Sequence, residues 1–164
     1  MNDLFTNPFH ATRDAERAGL WEMLVARDND AFAAADWGPV ADDFAADRFE
    51  GISANGSADP ASWTLAYPTV DAYRVDWLRM ADEFLLKPLV EGDHRALLYL
   101  MTTLARIDIV GDRAAVWKQF RANARLRDGG VLRIAAQSLF RLHRIDGRWM
   151  IVGFVGYLPL EVAQ

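Results

Sequence analysis

The spacing of hydrophobic positions changes character once along this chain. In the first half they recur every three to four residues; from about residue 95 they alternate. The first spacing predicts helices and the second predicts half-buried strands.

Trp21, Leu24, Val25, Phe32 and Ala35 fall near one stripe, which predicts a first helix over about 13–35. Asp28 falls on that stripe too, between Val25 and Phe32. The run Asp36-Trp37-Gly38-Pro39 predicts a helix restart over about 37–46. Asp36 serves as N-cap, and Pro39 loses nothing in a first turn, where its missing N–H has no partner anyway. Thr69 caps a third helix, about 70–86, whose stripe is Val70, Tyr73, Trp77, Ala81 and Phe84. Residues 50–68 are rich in Gly, Ser, Ala, Asn and Pro and predict a loop, with Asp59-Pro60 suited to open a short helix. Trp63, Leu65 and Tyr67 make this loop apolar enough to pack down and lid a pocket.

Alternation predicts four strands, about 96–109, 113–126, 131–145 and 148–158. Val110-Gly111-Asp112, Asp128-Gly129-Gly130 and Asp146-Gly147 mark the turns between them. Consecutive hairpins make an antiparallel meander, and its apolar face needs the helices as cover. The chain is therefore expected to be α+β. In the second strand Val116, Phe120, Ala122 and Ala124 point inward, and Lys118 shares their face. In the third, Leu132, Ile134, Ala136, Phe140 and Leu142 do so. The first and fourth strands read as apolar on both faces. A second copy of the chain is the simplest cover for the outer face, which predicts a homodimer through the sheet. The competing cover is an N-terminal arm, residues 1–12, carrying Leu4, Phe5 and Phe9.

Length and composition narrow the classes. A chain of 164 residues, 52% hydrophobic, suits one domain with a real core, placed at residues 13–164 behind the arm. With no cysteine it has no thiolate metal site and no cysteine nucleophile, and it fits a reducing, cytoplasmic compartment. Residues 1–20 show no signal-peptide pattern, and no apolar run approaches the roughly 18 residues of a membrane helix. The net charge is −5, and the arginines of the second half are interspersed with acids, which argues against a nucleic-acid surface.

Three stretches carry a family resemblance: the Asp36-Trp37 restart with Phe44 and Phe49, then Val110-Gly111-Asp112-Arg113, then the run from Phe140 to Trp149. Over residues 13–158 the chain resembles the nuclear transport factor 2-like superfamily, in its SnoaL-like, polyketide-cyclase-like branch. The resemblance implies a cystatin-like cone, in which a strongly curved antiparallel sheet wraps the N-terminal helices around an apolar pocket. It also implies isomerase, dehydratase or cyclase chemistry without a cofactor, or a purely accessory role. Enzymes of the superfamily typically carry an Asp, alone or paired, inside the pocket; the last strand here, Trp149 to Tyr157, has no acid or histidine.

Lys118 is the sharpest oddity, because desolvation disfavours a charge on an inward face. It would act as a base, hold an anionic group or pair with an acid; alternatively its stem reaches the rim. Asp28 is its natural partner, if the first helix extends that far, and the two are the candidate catalytic residues. Tyr67, Tyr73, Trp77 and Tyr99 are candidate walls for a small hydrophobic molecule, with Thr103 and Ser138 as orienting hydroxyls. His143 falls on the outward face, and His10 and His94 lie in loops. No histidine shares metal-ligand spacing with another or with an acid, so neither metal nor cofactor is expected.

Overall fold

The computed structural model describes residues 3–160; the first two residues of the expected arm and the last four of the expected domain lie outside them. The first helix is continuous from α1 (Ala15–Trp21) through a π-helical stretch (Glu22–Arg27) into α2 (Asp28–Ala33). The wider π turn buries three consecutive residues, Met23, Leu24 and Val25, and shifts the helical phase of α2 relative to α1. A 3-10 segment (Gly38–Asp43) comes next, and the Asp36 carboxylate accepts a hydrogen bond from Gly38 N at 3.0 Å. Helix α3 (Val70–Leu85) is capped by Thr69, whose hydroxyl accepts from Ala72 N.

Two short strands lie in the expected loop: β1 (Glu50–Ser53) and β2 (Thr64–Tyr67), around a 3-10 turn (Pro60–Ser62) opened by Asp59. A further helix, α4 (His94–Met101), occupies the start of the expected first strand. Asp93 caps it, accepting from Ala96 N at 2.7 Å. The chain then runs through β3 (Thr102–Val110), β4 (Arg113–Arg125), β5 (Val131–Ile145) and β6 (Arg148–Pro159). The sheet order is β2-β1-β6-β5-β4-β3. Every pairing is antiparallel except β1 with β6, which is parallel, so β6 is an inner strand. Bulges interrupt the register between Leu104 and Arg106, Gln137 and Leu139, and Arg141 and Leu142, and bulges bend strands. The result is the expected α+β architecture, a curled, mostly antiparallel sheet around helices.

The inward registers of β4 and β5 hold. Val116 pairs with Phe140, Lys118 with Ser138 and Phe120 with Ala136, and Val116 and Leu142 are fully buried. The main core joins this face to Leu20, Leu24, Trp37, Phe44, Trp77, Ile151 and Phe154. The described residues of the arm pack on the helical side and not on the outer sheet face. Leu4 and Phe9 pack on a cluster of Trp21, Val25 and Tyr99, and Phe5 meets the Tyr99 ring edge-on.

Candidate functional site

A cavity of about 170 Å³ lies between α2, α3 and α4 and the concave face of β4, β5 and β6. Most of its wall is apolar: Phe32, Trp77, Leu98, Met101, Phe120, Phe140 and Phe154 among others. Within that wall lies an ion pair. Lys118, 2% exposed, places Nζ 2.7 Å from Asp28 Oδ2. The second carboxylate oxygen, Oδ1, accepts from Trp77 Nε1 at 3.3 Å. Asp28 is held from behind as well. Arg27, one residue earlier, forks onto the buried Asp43 through two bonds of 2.8 and 2.9 Å, tying the π turn to the 3-10 segment.

Ser138, Tyr73 and Asn29 also line the cavity beside this pair. Burial, followed by the nearby Asp28 charge, holds the Tyr73 phenol well above the ordinary tyrosine range, so it remains a hydroxyl donor. Asn29 is 2% exposed, and its amide nitrogen is buried without a hydrogen-bond partner among the described residues. At the mouth stands Tyr157, the one exposed residue among those described in the lining. Its backbone is left-handed (φ 57°), and its hydroxyl donates to Met80 Sδ at 3.0 Å. Gly156 beside it leaves Ser138 room: a Cβ there would stand 3.2 Å from the Phe154 ring and 3.5 Å from Ser138 Oγ.

The structure brings Asp28, Lys118, Tyr73, Trp77 and Ser138 to one cavity and leaves three sequence candidates outside it. Tyr67 sits behind the lining: its hydroxyl donates to Asp76 and lies 3.3 Å from that of Tyr157. Burial, then the bond to Asp76, raises its pKa above the ordinary tyrosine value. Tyr99 lies on α4, not on a strand, and that helix turns it away to Asp30 Oδ1 (2.9 Å) and the Ala26 carbonyl. Burial, then the Asp30 bond, pushes its pKa up to about 12. Thr103 is exposed on β3, in a shallow groove shared with the arm. The misplacements of Tyr99 and Thr103 have one cause, the helical 94–101 stretch, which resets the register of everything read from it.

Asn29 was not singled out from the sequence. Its signal was present: it stands three residues before Phe32, a residue of the predicted stripe, and both line the cavity from α2. Tyr157 gave no signal, since a left-handed backbone at a tyrosine is not readable from residue type. Among the described residues no group of three His, Asp or Glu side chains is placed to hold a metal ion, and no helix is long and apolar enough to cross a membrane.

No protein-family model matches the chain, and no curated protein sequence matches it. Solved structures do. An NTF2-like protein of unknown function from Shewanella baltica is 18% identical, covers 90% of this chain and 96% of its own, and superposes with a TM-score of 0.52. An NTF2-like protein with a cystatin-like fold from Novosphingobium aromaticivorans is 14% identical, with 91% and 84% covered and a TM-score of 0.56. A ketosteroid isomerase-like protein from Erwinia carotovora is 17% identical, with 86% and 98% covered and a TM-score of 0.51. At these identities the likeness speaks for the fold, and the fold is the one implied by the residues from Asp36 to Trp149. This chain has the nuclear transport factor 2-like, cystatin-like fold.

Proposed function

We propose that this protein binds a small hydrophobic molecule in its cavity and runs cofactor-free proton transfer on it. The reaction class is that of a SnoaL-like isomerase, dehydratase or cyclase. The observation that carries this reading is the Asp28–Lys118 pair set in an apolar wall. A stability role alone explains such a pair poorly, because desolvating two charges costs about as much as their attraction returns. Asp28 takes a proton from a carbon of the ligand and returns it at another. Lys118 balances the charge that builds up meanwhile. Tyr73 and Trp77 form wall, and Ser138 orients the ligand. The neighbour described as ketosteroid isomerase-like is in keeping with such chemistry. The absence of cysteine supports a cytoplasmic setting.

A thermal-shift screen of small steroids, polyketides and terpenoids tests binding. The expected result is a stabilising ligand whose effect is lost in Lys118→Met. If nothing stabilises the protein, and Lys118→Met melts higher than the parent, the reading fails.

A second reading rests on a different surface. Trp117, Leu139 and Val155 stand in register across β4, β5 and β6, one residue out of step with the inward set, and none is fully buried. Such an apolar row on the outer face suits a homodimer through the sheet. In that case the protein is a non-catalytic accessory or ligand-binding dimer. Light scattering of the parent and of Trp117→Asp tests it, with a dimer reverting to monomer as the expected result.

A further inference from the structure

Sixteen of the eighteen basic side chains in this chain are arginine. The two lysines are Lys87, exposed just beyond α3, and Lys118, the one fully buried basic side chain among the described residues. The use of lysine at the buried place has a chemical consequence. A guanidinium keeps its proton under all ordinary conditions, so an arginine there would supply charge alone. A lysine amine can give its proton up, and it then carries a nucleophilic lone pair.

The surroundings of Lys118 are those of an activated nucleophile. Such a group needs a base within hydrogen-bond reach and a third group that orients the base. Lys118 Nζ stands 2.7 Å from Asp28 Oδ2, and Trp77 Nε1 fixes the other carboxylate oxygen at 3.3 Å. Lys118 and Asp28 both line the cavity, so a molecule inside it lies against the pair. Passing the proton from ammonium to carboxylate leaves two neutral groups, which an apolar wall tolerates better than two ions.

Size and crowding set the partner. The cavity, of about 170 Å³, is close to the dry cavities that take a single aromatic ring. The Lys118 nitrogen lies 5.3 Å from the centre of the Phe120 ring and 5.8 Å from that of Phe140. A carbon that reaches it beside these rings must be unhindered, which favours an aldehyde, with one carbon substituent, over a ketone with two. The same ring faces stabilise a cation formed at that nitrogen.

We infer that Lys118 is a nucleophile that forms a Schiff base with a small apolar aldehyde in the cavity, and that Asp28 is the base that moves its proton. Asp28 first takes a proton from the ammonium. The freed lone pair attacks the carbonyl carbon and the C–N bond forms. The carbonyl π pair moves to oxygen, which takes a proton from nitrogen. Asp28 then returns its proton to that hydroxyl, the C–O bond breaks, water leaves, and the nitrogen lone pair completes the C=N bond. The net change is ammonium plus aldehyde to iminium plus water, with Asp28 again a carboxylate beside the positive nitrogen. The inference rests on the binding reading proposed above and deepens it: the C–H that Asp28 deprotonates lies next to an iminium, on a ligand tethered to Lys118.

The experiment is reductive trapping of the full chain with benzaldehyde and cyanoborohydride, which delivers hydride to the iminium carbon and leaves a benzyl group on nitrogen. Peptide mass mapping reads each lysine separately, with Lys87 as the exposed control. Lys118 is expected to label saturably, at least about tenfold faster than Lys87 at low aldehyde concentration, which is the advantage of a held reactant. Toluene, the same ring without a carbonyl, should compete at Lys118 and not at Lys87. Asp28→Asn should slow labelling of Lys118 about a hundredfold, the size of one general-base contribution. Should that variant not fold, saturation and toluene competition in the parent decide. Labelling of Lys118 in simple proportion to aldehyde, or no faster than that of Lys87, overturns the inference, and so does an Asp28→Asn variant that labels as fast as the parent. Calorimetry with toluene separates the two readings. If toluene binds and Lys118 is not trapped, the covalent step falls and the pocket stands; if neither happens, both fall.

Discussion

Lys118 reaches across the cavity from the middle of β4 to Asp28 at the start of α2, with Nζ 2.7 Å from Oδ2. The lysine is almost wholly buried and the carboxylate partly open to the cavity, with side-chain exposures of 2% and 29%. This asymmetry makes the two single variants unequal. Asp28→Asn strands an ammonium in an apolar wall and should cost about 3–5 kcal/mol. Lys118→Met leaves a carboxylate that retains Trp77 and the cavity, and should cost less. The double variant Asp28→Leu with Lys118→Met should be close to the parent or more stable. Urea denaturation of the four proteins measures all three values.

The strand faces that present Lys118 and Ser138 were legible because alternation in long strands leaves little freedom: a slip by one residue would put Val116 and Leu142 in solvent. Asp28 was legible from its stripe, and Thr69 from its place before one. The stretch His94–Met101 was not, because an apolar run this short satisfies both periods, and only Asp93 as its cap distinguishes helix from strand. Tyr99 and Thr103 were lost with it. Strands β1 and β2 were hidden by their Gly, Ser and Ala content; the partner of β1, β6, lies about a hundred residues away, and its parallel pairing is not a local property.

That parallel pairing depends on Gly153. A Cβ there would stand 2.5 Å from the Glu50 carbonyl oxygen, its direct partner on β1, and backbone cannot yield as a side chain does. Gly153→Ala should destabilise by about 1–3 kcal/mol. Gly19→Ala is the contrast. It lies on helix α1, with nothing within 4 Å of its added Cβ. That substitution should stabilise by about 0.5–1 kcal/mol. Thermal melts of the two variants check the opposite signs.

Tyr157 trades backbone strain for position. A left-handed conformation at an aromatic residue costs about 1–2 kcal/mol, and the bond to Met80 holds it there. Tyr157→Gly relieves the strain but also removes the Met80 and Tyr67 contacts and the buried part of the ring, so it should destabilise by about 1–3 kcal/mol. The mouth, however, widens. Affinities for a size series built on the compounds that the thermal-shift screen finds should shift toward the larger members, with the smallest unchanged or weaker.

Two groups set separate acid limbs. Burial, with Arg113, Arg48 and Arg141 nearby, holds the His143 imidazole below the ordinary histidine range, and its Nδ1 has no partner among the described residues. The unfolded chain therefore takes up a proton near pH 6.5 that the folded chain refuses until lower pH. Stability is full above that value and falls as pH drops through the interval between the two. Glu16 accepts from Arg144 and then Trp149, both at 2.7 Å, and these bonds hold its carboxyl below the usual range. Its contribution is present above about pH 4.3 and is lost as pH falls through the lowered folded value. In melting temperature against pH, His143→Gln should flatten the upper limb and Glu16→Gln the lower one.

The most direct measurement is a map of backbone amide shifts by nuclear magnetic resonance as the strongest stabiliser from the thermal-shift screen is titrated into the protein. The expected outcome is a saturable change centred on residues 28, 29, 73, 118, 138 and 156, inside the cone. Changes confined to the outer row of Trp117, Leu139 and Val155, with the cavity residues silent, would contradict it.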